Sequence, residues 1–286
     1  MQLDLFDDRH VILDQARTAL AELRLADARR SLVQLSERYP ADPAIAEELA
    51  RVQRLFLRWS DLDVVSAAEL APASLKLARD VEARGLGLAV RAALLRRVGE
   101  ALGMARGDHA LLDGQPPGFY FLVAGDSSAA RASLLRAIDR QPRARFFALL
   151  GDGEHGLGQG ARARSLYLEA LLHDPFDAAI ELVVDEEVRT LPDLARNEMG
   201  LDEPVAWAAA VGAVTGVLPV RRTTERPLPD SDDGALARAR AFVDALGRAA
   251  AGAGSGIAAR KEMKRLAPGL FAAYVERLAG GRAALV

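Results

Sequence analysis

Residues 147–177, FALLGDGEHGLGQGARARSLYLEALLHDPFD, predict two short antiparallel helices joined by a glycine-bearing turn. The first helix ends near His155, the turn contains Gly158, and the second helix stops at Asp174-Pro175. The second helix carries an apolar face at helical spacing, made of Ala163, Leu166, Tyr167, Ala170 and Leu171. A single pair of helices cannot bury such a face, so further helices must pack against it.

The stretch resembles the tetratricopeptide repeat, a helical pair of about 34 residues with small and large side chains at fixed places. The residues that fill those places in order are Phe147, Leu150, Gly151, Gly158, Ala163, Tyr167, Ala170 and Pro175. The resemblance implies an all-α, tetratricopeptide-like solenoid of antiparallel helical pairs. Such solenoids stack their repeats and offer an extended surface to other molecules.

Two further segments match the second half of the repeat, so that the resemblance covers about half of the chain. One precedes the strong unit, with Ala130 placed 33 residues before Ala163; it comprises Gly125, Asp126, Ala130, Leu134, Ala137 and Pro142. The other lies near the N-terminus, with Leu23 where the turn glycine is expected; it comprises Ala16, Ala28, Leu32, Leu35 and Pro40. Between the two segments, Leu62 and Arg96 stand where alanine is expected, and we count no repeat there.

The composition is typical of an all-helical protein. Of the 286 residues, 50% are hydrophobic and only 5% aromatic, which favours close packing of Ala- and Leu-rich helices. The net charge of −3 argues against direct binding of nucleic acid, which requires a concentrated basic surface. Cysteine is absent, so disulfides, thiolate nucleophiles and cysteine metal sites are excluded. The chain does not open on a basic segment followed by an apolar one, so we expect a cytoplasmic protein without a secretory signal.

Residues 1–8 predict an extended N-terminal arm before a helix that starts near Arg9. The arm contains the pentapeptide Gln2, Leu3, Asp4, Leu5 and Phe6. These residues resemble the peptide Gln-Leu-Ser/Asp-Leu-Phe, by which bacterial replication and repair proteins dock on the DNA polymerase sliding clamp. The resemblance implies a polar subsite for the glutamine and an apolar pocket for the leucine and phenylalanine side chains. Alternatively, the apolar side chains of the arm pack back on the first helices as a hydrophobic staple.

The rest of the chain divides into three predicted regions. Residues 9–220 form the solenoid, residues 221–234 form a charged linker with two prolines, and residues 235–286 form a C-terminal helical hairpin that packs as a cap. Within the solenoid, the apolar run 205–220 is too short to span a membrane, so we expect a buried helix there and no membrane contact.

Prolines mark further predicted helix starts and loops. Asp42-Pro43 predicts the start of the third helix, and Pro72 the start of a later one. Residues 115–118, Gln-Pro-Pro-Gly, predict a loop that either connects two helices or lines a binding surface.

No motif of catalysis, cofactor binding or metal binding is supported by its sequence context. Gly151, Gly153 and Gly156 satisfy G-x-G-x-x-G, but no strand precedes them and the repeat already accounts for the first glycine. The histidines are isolated in sequence, and of the four only His155 and His173 are expected to approach each other. The others are His10 and His109. We therefore predict no catalytic, cofactor-binding or metal-binding residues.

These patterns favour a non-enzymatic adaptor that is tethered to the sliding clamp by Gln2–Phe6 and binds a second protein with its helical body. The alternative is a peptide-binding repeat scaffold, or chaperone-like module, with no connection to replication. A third class, a small-molecule hydrolase, would need catalytic residues dispersed in sequence among the helices.

Overall fold

The computed structural model describes residues 8–60, 65–83, 87–221, 234–251 and 256–283, together with Leu62 and Leu228. Most of these residues lie in α-helices, and the described ranges contain no β-strand; Leu112 and Gln115 form an isolated bridge. The predicted all-α class is confirmed. The chain divides into two compact units, Met1–Ser133 and Leu134–Val286.

Helices of the first unit pack against their neighbours in chain order: α1 on α2, α2 on α3, α4 on α5, and α5 on α6. Their bounds are α1 (Asp8–Ala21), α2 (Leu25–Arg38), α3 (Pro43–Ser60), α4 (Ala67–Ala83), α5 (Leu88–Arg106) and α6 (Pro117–Val123). Helix α7 (Ser127–Arg140) contains the boundary between the units. The Asp42-Pro43 prediction is confirmed, since the Ala44 amide donates to the Asp42 carboxylate at 2.9 Å and α3 begins at Pro43.

Consecutive helices also pack in pairs in the second unit, with α8 on α9, α11 on α12, α12 on α13 and α13 on α14. Helix α12 also contacts α9 and α15. The bounds are α8 (Ala144–Gly156), α9 (Gly160–His173), α10 (Glu186–Arg189), α11 (Leu191–Asn197), α12 (Pro204–Thr215), α13 (Gly234–Ala250), α14 (Gly256–Leu266) and α15 (Pro268–Ala283). The helical pair predicted within residues 147–177 is therefore present as α8 and α9.

Three turns between helices share one hydrogen-bond pattern, a Schellman motif around a left-handed residue. The left-handed residues are Leu23, Gly125 and Gly158, with φ angles of +56°, +78° and +74°. In each turn the amide of that residue donates to the carbonyl three residues earlier, and the next amide donates to the carbonyl five residues earlier, at 2.7 to 3.0 Å. The backbone therefore makes the same turn at three places in the chain.

Each of these turns is followed by buried residues at the same spacing. Every one of the nine is at most 1% exposed: Ala28, Leu32 and Leu35; Ala130, Leu134 and Ala137; Ala163, Tyr167 and Ala170. The three second helices also end alike, because the amides of Tyr39, Gln141 and Asp174 each donate to a carbonyl four residues earlier, at 2.8 to 3.0 Å. The sequence pattern that suggested repeats therefore coincides with repeated local structure.

Small and large residues complement each other where α8 packs on α9. A Cβ added at Gly151 of α8 would overlap the ring of Tyr167, which lies on α9. The Tyr167 hydroxyl donates to the Asp152 carboxylate at 2.8 Å, and the Val184 amide donates to the same oxygen at 3.0 Å. Gly151 is thus required for close packing, and Asp152 fixes the segment that follows α9.

Two of the proline-based predictions were wrong about where a helix starts. Pro72 lies inside α4, which begins five residues earlier at Ala67, since Ser66 supplies carbonyl and side-chain contacts to Glu69 at the helix start. Part of the predicted loop at residues 115–118 is helical, because Pro117 occupies the first position of α6, where the missing proline amide costs no hydrogen bond.

The apolar run at residues 205–220 is divided rather than continuous. Helix α12 ends at Thr215, and Gly216 adopts a left-handed conformation with φ +84°. The helix is buried over nine of its residues, as expected, and Gly212 sits directly against Leu218 and Leu191. No described helix combines the length and the apolar character needed to cross a membrane.

Arginines from the C-terminal helices contact the ends of earlier helices. Arg240 of α13 is buried and donates to the carbonyls of Leu172 and His173, each at 2.7 Å, at the end of α9. Arg277 of α15 donates to the carbonyl of Val214 at the end of α12. Arg221, the first residue of the predicted linker, is also buried and pairs with Glu169 at 3.2 Å. Cations at helix C-termini satisfy free carbonyls and favour the helix dipole.

Candidate peptide-binding groove

The predicted clamp-binding residues lie outside the described part of the chain. Gln2, Leu3, Asp4, Leu5 and Phe6 all precede Asp8, the first described residue, which is also the first residue of α1. Any binding surface among the described residues belongs to the helical body.

The first unit carries a groove of about 430 Å³ where α1 and α3 flank α2, and we call it the α1–α3 groove. Its floor is apolar and well packed, since Ala16, Leu32 and Ile45 are each at most 2% exposed. Its full lining is Arg9, His10, Leu13, Ala16, Arg17, Leu20, Leu32, Ala44, Ile45 and Glu48. An apolar floor with polar side chains along it is the usual composition of a ligand site.

Two ion pairs hold the helices that form the groove. Arg9 of α1 pairs with Asp42, the residue that caps α3, so one side chain links the two walls. Arg38 at the end of α2 pairs with Asp8 at the start of α1, with 3.2 Å between nitrogen and oxygen. The second pair is largely solvated and contributes little to stability.

One basic side chain of the groove lining is accessible to solvent. Arg17 is 70% exposed and only loosely paired with Asp14 at 3.4 Å. Glu48, the carboxylate of the lining, is itself 3.6 Å from Arg51. The groove therefore suits an extended segment that carries apolar side chains and at least one carboxylate.

Sequence reasoning did not identify this groove, although it identified several residues that form its floor. Ala16 and Leu32 stood out because they fit the repeat pattern. No comparable signal marked Leu13, Arg17 and Ile45. The groove depends on how α1 packs near α3, and α2 lies between these two helices in the chain. The only usable signal was the Asp42-Pro43 cap, which places α3 beside α1.

In the second unit, Asp152 and Tyr167 are in contact, and the pKa of each group is shifted. Burial raises the pKa of Asp152 above its usual value of 3.8, against the opposing effect of the hydrogen bonds from Val184 and Tyr167. Burial and the neighbouring carboxylate also raise the pKa of Tyr167. Because both groups are engaged in holding the segment after α9, their arrangement is a structural support.

The other sequence motifs acquire structural explanations. The glycines of the G-x-G-x-x-G match, 151–156, lie inside α8 and not in a strand-to-helix turn. His155 is exposed, whereas His173 is buried with its ring centroid 4.9 Å from that of Phe147. Asp185 caps α10 and pairs with Arg164 at 2.9 Å. Within the described ranges, no three His, Asp or Glu side chains are arranged to hold a metal ion.

The α1–α3 groove and the recurring turns are thus the features from which a function can be argued. Each is formed by residues whose side chains have defined contacts in the described chain. No protein-family model, curated protein or solved structure matches this sequence.

Proposed function

We propose that this chain is a non-enzymatic adaptor whose helical body is a tetratricopeptide-like solenoid. The observation that carries the proposal is the threefold recurrence of the Schellman turn, at Leu23, Gly125 and Gly158, with the same three buried positions after each. Recurrence of one supersecondary unit is the property of repeat proteins, whose stacked helices serve as binding surfaces. The C-terminal helices are the proposed cap, and Arg240 supports this role because it contacts the end of α9.

The adaptor is tethered by its N-terminal peptide to the sliding clamp of a bacterial DNA polymerase. The support is the resemblance of Gln2–Phe6 to the clamp-binding peptide at each of its five positions. A few anchor side chains suffice for such docking, because most of the binding energy of an interface is concentrated in them. The helical body then positions a second protein near the clamp.

The tether is tested by titrating the purified full-length protein against a bacterial sliding clamp in a calorimeter, beside a variant that lacks residues 2–6. The full-length protein is expected to bind and the shortened variant to lose binding, while both unfold at the same temperature. Equal affinity of the two proteins, or no binding by either, would reject the tether.

The α1–α3 groove favours a second candidate, a peptide-binding scaffold with no connection to replication. Ala44 is exposed and lines the groove, whereas Ala46 is exposed on the same helix and does not line it. Ala44→Arg should therefore obstruct the groove, and Ala46→Arg is its matched control. If partners captured by the full-length protein are lost with Ala44→Arg, kept with Ala46→Arg and unaffected by removing residues 2–6, the scaffold is the better account.

A further inference from the structure

A second cavity in the first unit lies between the C-terminal half of α3 and α4, and it belongs to neither the N-terminal arm nor the α1–α3 groove. We call it the α3–α4 cavity; its volume is about 230 Å³. Leu55, Leu77 and Val81 form apolar walls and are buried. Leu57 also lines the cavity, yet 67% of this residue is exposed to solvent. A large apolar side chain therefore stands uncovered beside a cavity with apolar walls.

Two arginines of α3 flank the same cavity. Arg54 and Arg58 are one helical turn apart, so they project from the same face of the helix. Both are exposed, and neither forms an ion pair with any described residue. Arg51, on the preceding turn, pairs with both Glu47 and Glu48. The guanidinium groups at the cavity are thus available to a ligand, in contrast to their neighbour.

One acidic residue also lines the cavity. Asp80 of α4 is half-buried and forms no ion pair with a described residue. The lining therefore carries two positive charges and one negative charge. The arginines attract a ligand carboxylate and Asp80 repels it. Removing the arginine charges should therefore weaken binding, and removing the Asp80 charge should strengthen it.

We propose that the α3–α4 cavity docks a linear segment of a partner protein in which one bulky apolar side chain stands beside two carboxylates. The volume suits one such side chain, since a cavity of about 150 Å³ already admits a benzene ring. Guanidinium groups recognise carboxylates through paired hydrogen bonds, and their spacing on α3 matches acidic residues close together in a peptide. This inference rests on the proposed function: the segment belongs to the second protein that the helical body of the adaptor binds.

The test uses fluorescence polarisation with the full-length protein and the labelled peptide Gly-Ser-Glu-Phe-Glu-Ser-Ser-Gly. Two matched peptides replace either every Glu with Gln or the Phe with Ser. The first peptide is expected to bind, and each replacement is expected to weaken binding at least about tenfold, because charge and apolar burial both contribute. No clamp is present, so failure here leaves the tether untouched, and failure of the tether leaves this site untouched.

Protein variants locate the binding at the cavity. Arg54→Glu with Arg58→Glu should weaken the acidic peptide at least about tenfold, whereas Asp80→Asn should tighten it about twofold to threefold. The matched control is Lys261→Glu with Arg265→Glu, the same charge change and spacing on exposed residues of α14, and it should leave the affinity unchanged. Circular dichroism melting checks that each variant remains folded.

Several results would overturn the proposal. They are no binding of the acidic peptide, equal binding of the Gln peptide, or equal losses in the α3 and α14 double variants. The N-terminal arm of this chain has related chemistry in Leu5-Phe6-Asp7-Asp8. If the peptide binds only after residues 2–7 are removed, the arm and not a partner protein occupies the cavity, and the proposal is wrong.

Discussion

The α1–α2 and α8–α9 pairs make the same turn with different residues. The left-handed position holds Leu23 in the first pair and Gly158 in the second, yet the hydrogen bonds of the two turns agree. Seven residues before that position, the first pair has Ala16 where the second has Gly151, and the buried residue nine positions after the turn is Leu32 or Tyr167 respectively. The two pairs therefore share one backbone geometry at the turn. In the α8–α9 pair a smaller residue on the first helix accompanies a larger residue on the second.

The largest expected effect tests this exchange of sizes. Gly151→Ala should destabilise the protein by about 1–3 kcal/mol, because the new methyl group overlaps the ring of Tyr167. Gly151→Ala with Tyr167→Leu reproduces the combination of the α1–α2 pair and should recover part of that loss. Urea unfolding of both single variants and the double variant measures the coupling between the two sites. Strictly additive losses would show that the two positions do not share a packing constraint.

A smaller effect is expected from exchanging the turn residues. Gly158→Leu should cost about 1–2 kcal/mol, because a left-handed backbone is unfavourable for residues with a Cβ. Space is not limiting, since a Cβ at this position meets no heavy atom within 4 Å. Leu23→Gly should change stability by less and in the opposite direction, since the relief of backbone strain is offset by lost packing of a half-buried leucine. Thermal melting of the two variants shows whether glycine is favoured over leucine at the left-handed position in both turns.

The smallest effect concerns the pH dependence of stability due to Asp152 in the α8–α9 pair, a residue without a counterpart in the α1–α2 pair. Asp152 has a raised pKa in the folded protein, and the equivalent position of α1 is Arg17. The folded state therefore holds the Asp152 proton more tightly than the unfolded chain does. The protonated carboxyl contributes its full stabilisation below pH 3.8, and this stabilisation is lost as the pH rises through the folded-state pKa. The stability of the wild type relative to Asp152→Asn should fall as the pH increases from 3.8. A difference that is constant with pH would contradict the burial of Asp152.

The sequence predicted the helical pairs where local chemistry determines the backbone. Gly158 and Asp42-Pro43 place helix bounds within a few residues, because glycine adopts the left-handed conformation that ends a helix at little cost and proline suits the first turn after a capping aspartate. Leu23 gave no such local signal, since leucine rarely adopts φ +56°, and only its place in the repeat pattern pointed to a turn there. The Pro72 prediction failed because Pro72 lies in the second turn of α4, which begins at Ala67; a proline there leaves one intrahelical hydrogen bond unmade, yet the helix continues through it.

Much less of the candidate sites could be predicted. The α1–α3 groove and the α3–α4 cavity depend on which helix faces meet, and these contacts join residues far apart in sequence. The helix-capping roles of Arg240 and Arg277 depend on partners 63 to 68 residues away, and nothing in the sequence distinguishes these arginines from the others. The N-terminal peptide stays a prediction from sequence alone, since its five residues precede the described part of the chain.

Clamp affinities of single-residue variants test the proposed attachment of the adaptor to the sliding clamp through Gln2–Phe6. Phe6→Ala should weaken binding about thirtyfold, roughly 2 kcal/mol, because an aromatic anchor leaves an apolar pocket. Gln2→Ala should also weaken binding by leaving a polar subsite unpaired, while Asp4→Ser should have almost no effect because the resembling peptide accepts either residue. We expect this order of affinities, with unchanged melting temperatures. A clamp affinity that does not respond to Leu5→Ala and Phe6→Ala together would contradict it.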